Sequence, residues 1–469
     1  MNWRATAFLL FISFWCRLYS QTPPTTYILV GEISVEGNKK TRIHHILRQP
    51  FIPSGDSLPV AELAKKLEFN RLQLMNTGLF SKVEINIKNW ELEEKRLDLL
   101  VKVVESWYIY PIPIFELADR NFNTWWKDYD HSLRRINYGL LFYHNNLTGR
   151  RDVLKGIVQL GFTNQYELVY RLPYFDRKQQ WGLSVGGAFA RNKEINYATF
   201  ENRQQFYRQS GDILLRQLRA RMSATLKPKQ QVSHTWEATL HLNEIDRRVR
   251  DDLNPDYFLG RLRQHYSSLA YELAFDTRDI KPYPLHGSIL RVRVQKDGLG
   301  KQEDVDALPV SASYKKYLSL SRRWSMELTG AARLAMIRHK QPFSNSRALG
   351  YGEHYIRGYE FYVIDGLDYI YGKTSLRLQL FDRVHNWGKI VPIRNLKVMH
   401  HRLYLVLNND MGMANNPYYG SDNNLTNTLL WGYGVGLDWV VYYNKVFRVE
   451  FSRNYLGENG LFLHWATSF

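Results

Sequence analysis

From Trp107 to the end of the chain, apolar residues recur at every second position, with polar or cationic residues between them. In Asp212–Leu226 one face reads Leu214, Leu218, Ala220, Met222, Ala224, Leu226, and the other reads Gln217, Arg219, Arg221, Ser223, Thr225. The same division sets Leu290, Val292 and Val294 against Arg291, Arg293 and Gln295. It recurs with Leu376, Leu378 and Leu380 against Ser375, Arg377 and Gln379, and with Phe447, Val449 and Phe451 against Arg448, Glu450 and Ser452. A period of two sends alternate side chains to opposite faces of a strand, so this stretch predicts β-sheet with one apolar and one polar face. A soluble sandwich would bury the aliphatic rows and wet the arginine rows. The strand count points elsewhere. The 363 residues from Trp107 (469 − 107 + 1) hold about sixteen strands, roughly 23 residues for each strand and its connection, and a tilted bilayer-spanning strand needs only about 9–11 of them. An even number of antiparallel strands, apolar outside and polar inside, describes a transmembrane β-barrel.

The two ends agree with that reading. Arg4, the apolar run Ala5–Trp15 and the small Ser20 make residues 1–20 a secretory signal peptide, too short to span a bilayer. Cys16 follows the bulky Phe14 and Trp15, which suit a signal core better than a lipid-modification site. The one cysteine of the sequence therefore leaves with the signal, and the exported chain is expected to lack disulfides. At the other end Leu461, Leu463, Trp465, Thr467 and Phe469 alternate to the last residue, a closing strand with a terminal aromatic of the kind bacterial barrels present to their assembly machinery. No later segment offers the 18 consecutive apolar residues of a membrane helix. The net charge of +18 would suit nucleic acid, but an exported protein rarely meets any. Anionic lipid and a lumen lined by Arg219, Arg221, Arg291, Arg293, Arg377, Arg402 and Arg448 account for it better. Aromatics at 14%, with 31 Tyr and 13 Trp, fit a membrane–water interface.

Residues 27–105 have another pattern. Tyr27–Val35 predicts a strand, Gly37-Asn38 a turn, and Thr41 the cap of a short helix to about Leu47. Pro59 opens a second helix with Val60, Leu63, Ala64, Leu67 and Leu74 on one face, and Gly78 stops it. Strands Lys82–Ile87 and Leu97–Val104 follow. The order strand, helix, helix, strand, strand makes a small α+β domain near the lower end of domain sizes.

One connection is long for a β protein. Between strands predicted at Ser319–Ile337 and Thr374–Phe381 lies a Gly-rich stretch, about 341–371, with six Tyr. Long ordered loops are usually functional, and Tyr355-Ile356-Arg357-Gly358-Tyr359-Glu360 sits at its centre. Together with Gly37-Asn38, Asn76-Thr77-Gly78-Leu79-Phe80-Ser81, Asp410-Met411-Gly412, and Phe275-Asp276-Thr277-Arg278-Asp279 followed by Pro284 and Gly287, this stretch resembles the BamA/TamA superfamily of outer-membrane proteins. The resemblance covers nearly all of the exported chain. It implies a 16-stranded transmembrane antiparallel β-barrel over 107–469, preceded by one periplasmic polypeptide-transport-associated (POTRA) domain over 27–105. It also implies that the loop folds back into the lumen, where Arg357, beside Gly358 and Tyr359, pairs with an inward acid. The strand parity of His401–Met413 points to the same acid independently. Leu403, Leu405, Leu407, Met411 and Met413 share one face, which leaves Arg402, Tyr404, Asn408 and Asp410 on the other. Asn408 stands where the family often has an aromatic to stack on the arginine. The pair would act as a structural latch or take part in handling substrate.

Two motifs carry no chemistry. Gly182-Leu183-Ser184-Val185-Gly186 has the hydrolase-elbow spacing but lies in an alternating strand rather than a strand-to-helix turn. His44-His45 and His400-His401 are adjacent pairs without metal-site spacing. No catalytic constellation, metal site or cofactor is expected. Trp107–Leu117, with Pro111 and Pro113, reads as the first barrel strand, or else as a linker before it. As a strand, its prolines remove donors from one edge, and a seam with the last strand, ending at Phe469, would be short of hydrogen bonds. In the family, clients are thought to enter the membrane there. The resemblance thus implies insertion or translocation of unfolded client polypeptides, with periplasmic or outer-membrane partner proteins. A passive pore or anchoring barrel, or a role in lipid and envelope homeostasis, is the alternative. A one-partner secretion channel fits less well, since no plug helix precedes the small domain.

Overall fold

The computed structural model describes residues 26–469 except 48–50, 92, 120–121, 177, 179, 210, 282, 387, 389–397, 421, 442–444 and 467–469. The expected signal peptide with Cys16, and Phe469, lie outside the described residues. The chain separates into two units, one up to Ile109 with His144–Asp152, the other Tyr110–Tyr143 with Val153–Phe469.

The first unit holds β1 (Tyr27–Glu36), α1 (Ile43–Ile46), β2 (Ser57–Pro59), α2 (Val60–Met75), β3 (Phe80–Glu91) and β4 (Arg96–Glu105). Its sheet runs β2-β1-β4-β3, with β1 and β4 parallel at the centre. Val30, Leu97, Leu99 and Val101 are fully buried there, covered by Leu63 and Leu74 of α2. Pro59 sits at the helix cap with φ −61°, the value its ring imposes. Thr41 does not cap α1. The N-cap is Arg42, without a side-chain bond, and Thr41 instead shares a 3.0 Å hydrogen bond with the Tyr108 hydroxyl and accepts one from Asn146 Nδ2. β2 and the extension of β3 to Glu91 were not apparent in the sequence, because their hydrogen bonds come from neighbours (β1 and β4) rather than from their own pattern. His44 and His45 lie on α1, not on a strand.

The second unit is one 16-stranded antiparallel sheet in chain order. It comprises β5 (Ile109–Leu117), β6 (Ile136–Asn145), β7 (Val153–Gly161), β8 (Thr163–Leu172), β9 (Trp181–Asn192), β12 (Leu215–Lys229), β13 (Val232–Ile245), β14 (Arg263–Asp276), β15 (Gly287–Asp297), β16 (Pro309–Ser319), β17 (Trp324–Ala335), β20 (Asp368–Asn386), β21 (Val398–Asn415), β22 (Leu430–Val441), β23 (Lys445–Asn454) and β24 (Asn459–Ala466). Two hairpins stand outside it: β10 (Glu194–Phe200) with β11 (Arg203–Arg208), and β18 (Arg347–Leu349) with β19 (Ile364–Asp365). A short helix, α3 (Phe122–Lys127), lies between β5 and β6.

Burial decides between sandwich and barrel. Leu218, Met222, Leu269, Leu334 and Ile370 are exposed, while Arg377, Asp410, Asp438 and Glu450 are buried. That is the inverse of a soluble core, in which charged groups almost never disappear and aliphatic rows do. It is the arrangement of a barrel with lipid outside. Among the described residues no helix is long and apolar enough to cross a membrane, and no ladder joins β24 to β5. Gly182–Gly186 lies inside β9 and His400–His401 inside β21. β20 begins at Asp368, so the long connection ends at residue 367. Tyr369 and Tyr371, read as loop aromatics, belong to the strand because β17 supplies partners for both.

Candidate functional site

The connection from β17 to β20, here the lumen loop, is itself a hairpin through β18 and β19. Ile356 and Tyr359 are buried with Tyr369, Tyr371, Ala414 and Leu430 of β20–β22. This packing brings Arg357 onto the polar inner face of the sheet. Its Nη1 donates to Asp410 Oδ1 at 3.2 Å and to Ser375 Oγ at 3.0 Å, and its backbone N–H donates to Asp410 Oδ2. Nε lies 3.6 Å from Glu450 Oε1. Lys373 Nζ stands 4.0 Å from Asp410 Oδ2 and 3.9 Å over the Tyr355 ring. Arg357 and Lys373 thus face Asp410 and Glu450, with Arg357 and both carboxylates buried, where an ion pair is little screened.

Backbone clearance fixes the approach. Gly358 has φ +85°, and a Cβ there would meet the Arg453 backbone at 2.9 Å. A Cβ on Gly432 of β22 would stand 1.8 Å from the Arg357 carbonyl. Asn454 Nδ2 donates to Gly358 O at 2.9 Å, so β23 grips the loop backbone as well. Asn408 is buried beside the pair, and among the described residues no ring stacks on Arg357.

The loop also reaches the last strand. Tyr355 stacks on His464 with centroids 5.5 Å apart, and Phe361 tilts against Phe462 at 5.3 Å. From α3, Lys127 Nζ sits 5.6 Å over the Phe361 ring, and Asn123 Nδ2 donates to the Leu461 carbonyl. Asn454 N donates to Glu458 O, which fixes the alternation in β23–β24. Leu461, opposite Phe451, then falls in a non-hydrogen-bonded pair and turns its carbonyl to the free edge. Asn123 therefore occupies one acceptor of that edge.

At the other end of the sheet, β5 spans both prolines, and the linker alternative does not hold. Asn145 N donates to Tyr108 O and Ala118 N to Arg135 O, ten residues apart on each strand, so the ladder with β6 runs between them without net bulge. Even-numbered residues of β5 then bond to β6. Pro111 and Pro113 face the open edge, where each removes a donor.

The family model that matches this chain is the Omp85 superfamily domain, over residues 146–441. The chain belongs to the Omp85 superfamily. Members of this superfamily are bacterial outer-membrane proteins that handle client polypeptides. The fold is shared with BamA from Haemophilus ducreyi lacking POTRA domains 1–3, at 13% identity and TM-score 0.58 over 93% of this chain and 83% of that one. It is also shared with CdiB from Escherichia coli (13%, TM-score 0.59, 94% and 76%) and CdiB from Acinetobacter baumannii (14%, TM-score 0.52, 93% and 73%). No curated protein matches the sequence.

In this Omp85 chain the Asp276-Thr277-Arg278-Asp279 motif shapes the turn between β14 and β15. Arg278 Nε donates to Asp276 Oδ1 at 2.9 Å, and Asp279 Oδ1 accepts from Leu285 N at 3.2 Å. The turn carries Tyr283 inward, where its hydroxyl donates to Asp438 Oδ2 at 3.0 Å. Arg448 Nε holds the same carboxylate at 2.6 Å. Arg377 bonds Pro284 O at 3.1 Å and pairs with Glu327. The sequence reading missed Glu450, Ser375 and Lys373 as partners of the loop, although parity had already placed Glu450 and Ser375 on the inner face. Asn123 and Phe361 carried no local signal. Among the described residues no group of His, Cys, Asp or Glu could hold a metal ion.

Proposed function

We propose that the protein assists insertion of client polypeptides into the outer membrane, with the edge between β24 and β5 as the point of entry. The observation that carries this is the unpaired seam: neither described end strand has a ladder partner on its outer side, and β5 presents Pro111 and Pro113 there. Unpaired backbone is penalised in lipid, so a seam two donors short of full pairing is costly unless something uses it. A client strand can borrow the remaining groups by strand addition. The lumen loop then acts as a latch. Arg357 with Asp410 and Glu450 fixes the loop to β21 and β23, and the loop's aromatics steady β24 from inside while Asn123 covers part of its edge.

The N-terminal unit, read as a POTRA domain in the periplasm, offers β3 as its long free edge, a second place for an extended client. Depleting the protein in its parent bacterium tests the proposal. Loss of other outer-membrane barrels is the expected result, and a change confined to small-solute permeability would support the pore instead.

A further inference from the structure

A patch on the outer, apolar face of the sheet is not used by this mechanism. In β12–β14 the outward rows run Leu218–Leu242–His265, Ala220–Leu240–Ser267, Met222–Ala238–Leu269 and Ala224–Trp236–Tyr271. The last row closes in an aromatic cluster, in which Trp236 stacks on Trp181 and contacts Tyr271. At the opposite end, the next outward row is Arg216–Glu244–Arg263, directly opposed across the three strands. Residues 216 and 224 are eight apart, about 26 Å along the strand at ~3.3 Å per residue. Tilt of about 40° brings that to ~20 Å, so the arginine row falls at the margin of an apolar band about 25 Å tall.

Strand alternation puts this margin at the same end of the sheet as the lumen loop. That end faces out of the cell if the N-terminal unit is periplasmic, and the inference rests on that placement alone, not on insertase activity. Here Glu244 is shared by Arg216 at 3.4 Å and Arg263 at 3.2 Å, and Asp304 by Arg261 at 2.5 Å and His265 at 2.8 Å. Arg247 and Arg250 complete a cleft of about 720 Å³, where five arginines meet three carboxylates, the third being Asp246. Arg250 also pairs with Asp251, and Arg248 with Asp246 and Asp212, while Arg247 makes no ion pair among the described residues. Each guanidinium has five donors, and the carboxylates orient these groups without exhausting them. A doubly charged phosphate monoester offers the remaining donors strong acceptor oxygens that match the planar guanidinium fork.

We infer that this cleft binds the phosphate groups of a phosphorylated glycolipid of the outer leaflet, with the aliphatic rows below it against the acyl chains. The test uses the purified full chain in detergent, exposed to bisphosphorylated lipid A, to the same lipid after phosphatase treatment, and to inorganic phosphate, with retention read by native mass spectrometry. The expected result is about tenfold preference for the phosphorylated lipid, the order of one or two charge-assisted bonds. The preference should be lost in Arg216→Gln/Arg247→Gln/Arg263→Gln, with the gel mobility of the folded protein unchanged. Equal retention of both lipids by the wild type would overturn the inference. So would undiminished preference in the variant, or displacement of the lipid by inorganic phosphate at equal concentration.

Discussion

At Arg357 one guanidinium faces Asp410 and Glu450, all three out of reach of solvent. Removing this cation leaves Lys373 alone against two buried carboxylates, and loss of one partner of a buried pair costs about 3–5 kcal/mol. Arg357→Ala should therefore lower the temperature at which the folded band disappears in semi-native gels, and Arg357→Lys should fall between it and the wild type. Unchanged mobility and melting in the Ala variant would mean that the loop is held by its aromatics alone. In the N-terminal unit, Glu105 is the corresponding single residue. Burial by itself would raise its pKa, but hydrogen bonds from Thr41 and Lys40 outweigh this and leave the carboxyl lowered. A lowered folded value gives stability that is present above the unfolded pKa, about 4.3, and lost as pH falls through the folded one. Amide protection at Lys40 and Thr41, corrected for intrinsic exchange rates, should hold at pH 7 and decline below about pH 4. Glu105→Gln should start lower and stay flat. Protection independent of pH in both proteins would remove Glu105 from this role.

Among the elements, β24 is held from two directions: Tyr355 and Phe361 pack on its inner side, and Asn123 reaches its open edge. Asn123→Ala with Phe361→Ala should speed hydrogen exchange in β24 and leave β12–β14 unchanged. Uniform acceleration would point to general destabilisation, and no change would show that the strand needs neither contact. How much of this could be read in the sequence depended on distance along the chain. Parity in His401–Met413 sufficed to turn Asp410 inward, because each strand carries its own period of two, and the same parity put Glu450 and Ser375 inside. Asn123 and Leu461 are 338 residues apart, and no pattern at either position announces the other. β2 was missed because three residues are too few to show a period, and Thr41 was misassigned because a capping residue type bonded to Tyr108 and Asn146 instead. The placement of Tyr369 and Tyr371 erred for a similar reason. Aromatics suit strands and docking loops equally, and only pairing with β17 separates them.

At the scale of the whole molecule, an apolar exterior and a charged interior make a sheet whose inner face is tied by ion pairs and a folded-in loop on one side, with its unpaired line at the ends. Tyr283 with Asp438, Arg377 with Glu327, and Arg357 with Asp410 tie loops and strands together across the inner face, all between β14 and β23. The proposed function joins these ties to the unpaired margin at β5 and β24: a braced wall that presents an edge to clients. The most direct measurement of that claim is a tether across the seam in living cells. Ile112→Cys is paired in turn with Phe462→Cys, Leu463→Cys and His464→Cys, and the accumulation of other outer-membrane barrels is followed with and without reductant. The account predicts that the pair that crosslinks stops this accumulation and that reductant restores it. Full accumulation with the crosslink intact would contradict it.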